Sequence, residues 1–538
     1  MQPNVATKPV RRRSYVQAAS WIWFAGCLFV LLFFLERHMN ALLNSDMAGD
    51  LILPHMLVQN GEWLSRDWYY STDLRVFNTQ LVFGALFFLT DNWVVVRLVG
   101  TLLLILLLLA CSWYFCASLH WQRWFPLLGG VLVLPTSMDY FEITLLYTGY
   151  IPYLCTAFVV FGTALRHTPA WSRRKTVLIF VLMGILALLS GLGGPRLVLS
   201  LYVPLFLGAV VLYLQGTAPD RPFFSKENPA WFWVGYAGYN LVWSAFGYGI
   251  NAKFLSALYS YKSYEDALYY ISFYAYRLEA FINSWLAIFG YTAPEGDAAL
   301  FDLSVALPNG VAFALMALVV YAVRDILRYP DRYTPAIRFC CLFLVTGFWA
   351  FFFLYLFTSM PCNARYNIPL VVFCPPAVVA FLLHRAAQKP WRVVAVCALC
   401  GLSLSAASFY NQLRTVDENV GRRQAVEFLV SQGYTDGFAT FWNADVCTEL
   451  SNGTLELWAW PEGSTELTDP LAVHPGLQLV SHRTTPPEGR LFVLFSTEEM
   501  QTFTLPQKLD TSRILYEENG FTIYGYDSYD AFVSDINQ

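Results

Sequence analysis

Asp46 and Asp50 stand four residues apart, shortly after the first long apolar run of the chain. They belong to segment 36–75, which also carries His38, His55, Asp67, Asp73 and the aromatics Trp63, Trp68, Tyr69 and Tyr70. No part of this segment is apolar enough to cross a membrane. In a helix, residues four apart share a face. Two carboxylates held that close raise the pKa of one of them, which suits a general base. The same pair can hold a divalent cation through oxygen ligands, and the sequence leaves the metal open. The plainer reading is two solvated aspartates, with Ser45-Asp46 capping a helix.

Further residues with chemical potential stand at the ends of apolar runs. Arg196 closes the turn GLGGPR, whose glycines permit close backbone approach and whose proline starts a new helix. Arg365 and Tyr366 lie in NARYNIP, a short turn of the same kind. An arginine at such a place can snorkel to lipid headgroups, or it can grip a phosphate with its planar fork. Asp139 and Glu142 can cap an interface, ligate a cation or accept a sugar hydroxyl. His55, like His38, can serve a proton or a phosphate, although a lone loop histidine is usually just solvated.

These residues need a scaffold, and the composition says which kind. The 538 residues are 57% hydrophobic and only 13% charged, where a soluble domain carries about a quarter charged residues. The chain therefore reads as an α-helical polytopic membrane protein. Apolar runs of spanning length lie near 18–35, 94–117, 143–165, 176–194, 197–215, 231–250, 306–323, 339–358, 368–384 and 393–410, with shorter ones at 79–91 and 126–137. The basic loops 166–175, 221–226, 324–338 and 384–392 fall on the side of the N-terminus if one short run crosses and the other does not. That makes about eleven transmembrane helices, with residues 1–17, including Arg11, Arg12 and Arg13, in the cytoplasm. The first run is too long for a signal peptide's core and reads as an uncleaved anchor.

This topology puts 36–75, a second large segment at 251–305, and everything after 410 outside the cytoplasm. The expected location is a bacterial plasma (inner) membrane. The segment 251–305, with Glu265, Asp266, Arg277 and Glu279 among many tyrosines, suits an interfacial helix or a platform for a lipid tail or sugar acceptor. Residues 411–538 have a soluble composition. They read as a small α/β domain with a helix at GRRQAVEFLVSQG, strands about the Asn452-Gly453 turn, and strands at RLFVLFS and GFTIYGYDS. Cys362 and Cys447, both in segments expected outside, have the option of a disulfide. No phosphate-binding loop or ATP module is visible. Work done outside then draws on an activated substrate or an ion gradient, and nucleic acid is not an expected partner.

In order and sidedness, the acid of LNSDMAGD after the first run, the Arg-Tyr turn ARYNIP before a late run, and the extracytoplasmic C-terminal domain resemble the GT-C superfamily of integral-membrane glycosyltransferases. Protein O-mannosyltransferases and aminoarabinose transferases are members. The resemblance covers roughly 18–410 and lacks the paired acidic dipeptide of better-known members. It implies a GT-C-like fold and a polyprenyl-phosphate sugar donor, with a glycan, lipid or protein acceptor among membrane lipids. It also implies an inverting displacement with Asp46 as base, Asp50 shaping the sugar site or tuning Asp46, and Arg196 and Arg365 on the leaving phosphate. The four loop aromatics would stack on sugar or anchor the loop, with anchoring preferred for the two tyrosines. Rival readings are a lipid-linked glycan polymerase or ligase, a transporter or flippase, and a membrane scaffold. Transporters place charges on broken helices near the midplane, whereas here the charges gather at run ends.

Overall fold

The structure is a computed structural model that describes residues 8–168, 171–216, 230–261, 269–293, 302–461 and 469–537, without the side chains of residues 8–14. Glu265, Asp266, the basic loop 221–226 and the side chains of Arg11, Arg12 and Arg13 lie outside the described residues. Seven helices among those described are long and apolar enough to cross a membrane: Tyr15–His38, Trp93–Ser118, Arg173–Leu192, Val198–Gln215, Leu303–Arg328, Pro335–Phe357 and Lys389–Leu413. Two further helix pairs qualify jointly but are bent. Met138–Leu146 meets Ile151–Arg166 at 84°, and Ala364–Val371 meets Cys374–Arg385 at 41°. The first break coincides with Thr148, whose backbone is left-handed at φ 61°, and with Pro152 at the start of the following helix.

By length and composition the count among the described residues is seven, or nine with each bent pair as one span, and the expected eleven is not confirmed. The runs 79–91 and 126–137 form helices of only 8 and 9 residues, Gln80–Phe87 and Phe125–Val133. At 1.5 Å per residue such helices reach less than half the ~30 Å of a hydrocarbon core. The helix Trp231–Ile250 matches the expected run 231–250, but its tyrosines, tryptophans and glycines leave it less apolar than the seven. Large exposed side chains show what the spans face. Val177, Leu178, Val181, Leu182 and Ile185 form an exposed stripe at helical spacing along Arg173–Leu192, a surface suited to lipid rather than water.

The chain divides into two compact units. The first comprises residues 1–35, 105–249 and 267–414. Within it, Ala275–Ile288 forms a helix in the segment expected to be interfacial. Its Arg277 is buried and donates to the carbonyls of Tyr355, Thr358 and Met360, satisfying the open C-terminal end of Pro335–Phe357.

The second unit gathers 36–104, 250–266 and 415–538, so the first loop and the C-terminal segment fold together. Its main sheet has the order β4-β3-β6-β8-β7, made of Asp436–Thr440 (β3), Glu456–Trp460 (β4), Leu491–Ser496 (β6), Ile514–Glu518 (β7) and Phe521–Tyr526 (β8). β3 runs parallel to both β4 and β6, whereas β8 is antiparallel to β6 and β7. A second sheet joins Trp68–Tyr70 (β1) to Ser260–Tyr261 (β2) and Gln478–Leu479 (β5). The helix read from GRRQAVEFLVSQG is present as Val420–Ser431, with Ala425 and Leu429 buried. The expected strands on both sides of Asn452-Gly453 are not. A helix, Phe441–Leu450, precedes that dipeptide and β4 follows it. Asn452 and Gly453 have φ of 56° and 75°, and their amides bond to Glu449 and Thr448 carbonyls, so the left-handed tolerance of Asn-Gly ends a helix instead of turning a hairpin. Cys447 is a free thiol inside the apolar core of this unit, and Cys362 is free as well. The disulfide considered from sequence is not formed.

Close helix packing in the first unit rests on two glycines. A Cβ built on Gly191 would stand 2.0 Å from the Ser244 carbonyl oxygen, and one on Gly247 2.3 Å from that of Leu188. Gly191→Val should therefore lower the thermal unfolding midpoint in detergent, at a cost of ~1–3 kcal/mol. Gly235→Ala, with nothing within 4 Å of the new methyl, should leave it in place.

Candidate functional site

Asp46, Asp50 and His55 belong to the second unit, whereas Asp139, Glu142, Arg196, Arg365 and Tyr366 belong to the first. The acidic loop does fold as a helix, Ser45–Asn60. Its cap is Asn44, whose Oδ1 accepts from the Met47 amide at 3.1 Å, and not Ser45-Asp46. Ser45 instead donates to the Phe441 carbonyl, and Asp46 sits in the first turn, where a carboxylate complements the helix dipole.

The two aspartates have different surroundings despite their spacing. Asp50 is buried, ion-paired to Arg75 and bonded by the Thr79 hydroxyl at 3.1 Å. Its charge is balanced, so the like-charge argument does not apply between it and Asp46. Asp46 is half-buried, and the acid whose charge it meets is Asp445 on Phe441–Leu450. Asp445 is buried, and burial holds its carboxyl well above the usual range, with Asp46 adding to the shift and the Gln478 hydrogen bond opposing it. Arg97 clasps Glu449 through Nε and Nη2, both at 2.5 Å, and donates to the Met47 carbonyl at 2.8 Å.

His55 packs between the rings of Phe87 and Trp93 at 5.0 and 4.9 Å. Burial lowers its pKa, against the charge of Asp91. Asp67 accepts from the Ser481 amide and hydroxyl at 2.7 and 2.8 Å. Trp68 and Tyr70 are core residues, Tyr69 stacks under Arg483, and only Trp63 of the four loop aromatics is exposed. The expected interfacial anchoring by the two tyrosines is therefore replaced by packing inside the unit, because β1 is a middle strand of the small sheet.

In the first unit the two arginines share a tyrosine cage. The Arg196 guanidinium carbon lies 5.3 Å from the ring centres of Tyr150 and Tyr153 and 5.7 Å from that of Tyr366. Its Nη1 donates to the Tyr150 hydroxyl at 3.1 Å. Arg365 stands 5.4 Å from the same Tyr366 ring and feels the charge of Arg196. Tyr355 is fully buried beside them, and its hydroxyl has no hydrogen-bond partner among the described residues. Two cations thus lie against aromatic faces, with the Tyr355 hydroxyl beside them. Asp139 is within electrostatic reach of Arg365 and lines a cavity of about 70 Å³ with Ser405, Ser408 and Gln412. Glu142 is half-buried in the short π-helical stretch that follows.

Sequence reading missed Asp445, Tyr150, Tyr153 and Tyr355. Tyr150 and Tyr153 offered one signal, a tyrosine pair three residues apart beside a Thr-Gly break, while Asp445 offered none. Among the described residues no three His, Cys, Asp or Glu side chains gather to hold a metal ion. With Asp50 taken by Arg75, the carboxylate pair read from sequence does not fit a cation.

No protein-family profile matches the chain, and no curated protein matches it. Among solved structures, one that resembles it is an Archaeoglobus fulgidus oligosaccharyltransferase tethered by a disulfide to an acceptor peptide containing the NVT sequon. The match has a TM-score of 0.46 and 11% identity, covering 89% of this chain and 70% of that one. A likeness of this degree assigns neither activity nor substrate.

The environment of Asp445 has a measurable consequence. An acid whose folded pKa is raised keeps its proton in the folded state while the unfolded chain gives it up above about pH 4. Stability then falls by ~1.4 kcal/mol per pH unit from that point toward the folded pKa. Asp445→Asn should remove this slope, so its unfolding midpoint should fall less than that of wild type between pH 5 and pH 7. Parallel profiles would show that Asp445 is ionised in the fold.

Proposed function

We propose that the protein is a membrane glycosyltransferase that moves a sugar from a polyprenyl-phosphate donor to a glycan, lipid or protein acceptor outside the cytoplasm. The observation that carries the reading is the arginine pair of Arg196 and Arg365 in its tyrosine cage, with the buried Tyr355 hydroxyl beside it. Fixed donors aimed at a developing anion are the main source of stabilisation in group transfer. A lipid phosphate carries that charge as it leaves, and the tyrosine faces suit both a sugar ring and a prenyl chain.

In this reading Asp46 takes the proton of the acceptor hydroxyl. The hydroxyl oxygen forms a bond to the anomeric carbon as the bond to the phosphate oxygen breaks. The electron pair departs with the lipid phosphate, whose charge Arg196 and Arg365 take up, and the configuration at the sugar inverts. Asp50 maintains the helix through Arg75 rather than shaping the sugar site. No step is routed through a metal. A second reading, a transporter or flippase, draws on the two bent helix pairs, since broken helices also build transport sites.

The test is transfer from radiolabelled polyprenyl-phosphate sugars by the full chain in liposomes. Asp46→Asn should reduce turnover ~10²–10⁴-fold, the usual worth of a positioned base. Arg365→Gln should also lower turnover, by ~10²-fold or more, if it stabilises the leaving phosphate. Equal turnover by wild type and Asp46→Asn removes Asp46 from the reaction. Movement of intact donor across the bilayer without transfer favours the second reading.

A further inference from the structure

The helix Lys389–Leu413 carries Ser405, Ser408 and Gln412 at i, i+3 and i+7, so the three share one face. Together with Asp139 they line the cavity of about 70 Å³ in the first unit. Gln412 is exposed, Ser408 half-buried and Ser405 only 2% exposed, so a polar stripe descends from the surface into the protein. A serine in a helix can return its hydroxyl to a carbonyl of the preceding turn, as Ser403 does to Leu399 at 3.0 Å. Ser405 does not. Its oxygen is buried beside the cavity and has no hydrogen-bond partner among the described residues. An unbonded buried hydroxyl is destabilising, and a ligand hydroxyl in the cavity would relieve it.

The other walls are preformed. Ser137 accepts from the Tyr140 amide and donates to the Ile288 carbonyl, both at 3.3 Å. Asn309 clips the turn that holds Gly290, accepting from the Thr292 amide and donating to the Thr292 carbonyl, both at 2.9 Å. Gly290 is left-handed at φ 97°, and a Cβ there would stand 3.0 Å from the Thr136 carbonyl oxygen. Glycine therefore suits both the backbone and the space. Ala287 and Pro308 give the cavity an apolar side.

These walls restrict the ligand. No Lys or Arg is among the residues that line the cavity, so an anion finds no partner there. The charge of Asp139 already meets that of Arg365, and no metal-holding cluster exists among the described residues, so a cation gains little. A neutral group suits the site best. The volume of about 70 Å³ is roughly two waters' share of liquid at ~30 Å³ each, and under half the ~150 Å³ that takes up benzene. A whole sugar ring is too large, whereas one carbon with its hydroxyl fits. Such a group also matches the mixed lining, its methylene against Ala287 and Pro308 and its hydroxyl on Ser405.

We propose that this cavity binds the hydroxymethyl arm of a pyranose, with Ser405 as the buried partner of the arm's hydroxyl and the exposed Gln412 left for the hydroxyls of the ring. The binding is read from the cavity alone; that the sugar belongs to a donor or an acceptor rests on the glycosyltransferase reading.

The experiment is saturation-transfer NMR on the full chain in phosphatidylcholine nanodiscs, free of glycoside detergent. The probes are methyl hexopyranosides, each paired with the methyl pentopyranoside that lacks only the hydroxymethyl arm: glucoside with xyloside, and galactoside with arabinoside. Wild type should favour the hexoside of at least one pair by ~3–10-fold in affinity, the worth of about one net hydrogen bond. Ser405→Ala should erase that preference, and Ser405→Leu, which fills the cavity, should abolish hexoside binding. Ser403→Ala, on the same helix, should change neither. The wild-type comparison needs no variant, so poor folding of Ser405→Leu leaves the test intact. Equal binding within both pairs, binding of no glycoside, or a preference that survives in Ser405→Ala overturns the proposal. A hexoside preference in a protein that transfers no sugar upholds the site and rejects the glycosyltransferase reading, whereas transfer without a preference does the reverse.

Discussion

The second unit depends on what Arg97 does inside it. One guanidinium, itself only 2% exposed, holds both oxygens of Glu449 and the carbonyl of Met47. Three stretches distant in sequence are thereby fixed to one another: the first-loop helix, the start of Trp93–Ser118, and the helix Phe441–Leu450. A buried ion pair is weak as a net source of stability but costly to break by halves, ~3–5 kcal/mol for one partner. Its effect here is to allow one arrangement and no other. Asn452 reinforces that arrangement, its Oδ1 accepting from the Trp93 amide at 2.8 Å. The placement of Asp46 beside Asp445 follows from these contacts and not from anything local to LNSDMAGD.

This explains how far the sequence could be read. Helices that face lipid announce themselves through unbroken apolarity, and those expected at 18–35, 94–117, 306–323 and 393–410 are present. The small α/β region was legible from its alternating runs, and the first-loop helix from its spacing. What could not be read was long-range pairing. Asp50 looks identical to Asp46 in the sequence, yet Arg75 and Thr79 hold it in the interior. Asp445 sits in a stretch whose Asn-Gly end suggests a hairpin, and only the fold turns it toward the first loop. Trp68 and Tyr70 look like membrane anchors because aromatics favour both an interface and a core, and a composition cannot tell which.

Charge management differs between the two units. The first keeps Arg196 and Arg365 within electrostatic reach of each other and surrounds them with tyrosine ring faces. The second neutralises almost every buried charge internally, through Arg75 with Asp50 and Arg97 with Glu449. Asp445 and Asp535 are buried acids with no ion pair among the described residues, Asp535 being held by the Tyr526 hydroxyl and the Asp510 amide instead.

The second unit is assembled from 36–104, 250–266 and 415–538, and this discontinuity bears on biogenesis. Synthesis proceeds from the N-terminus at ~5–20 residues per second. The first loop therefore emerges some tens of seconds before the partner of Arg97 exists. Throughout that interval Arg97 and the apolar faces of Trp68 and Tyr70 have no core to enter. A nascent chain in this condition invites attention from folding factors and proteases, and truncation anywhere before 415 would strand the loop permanently.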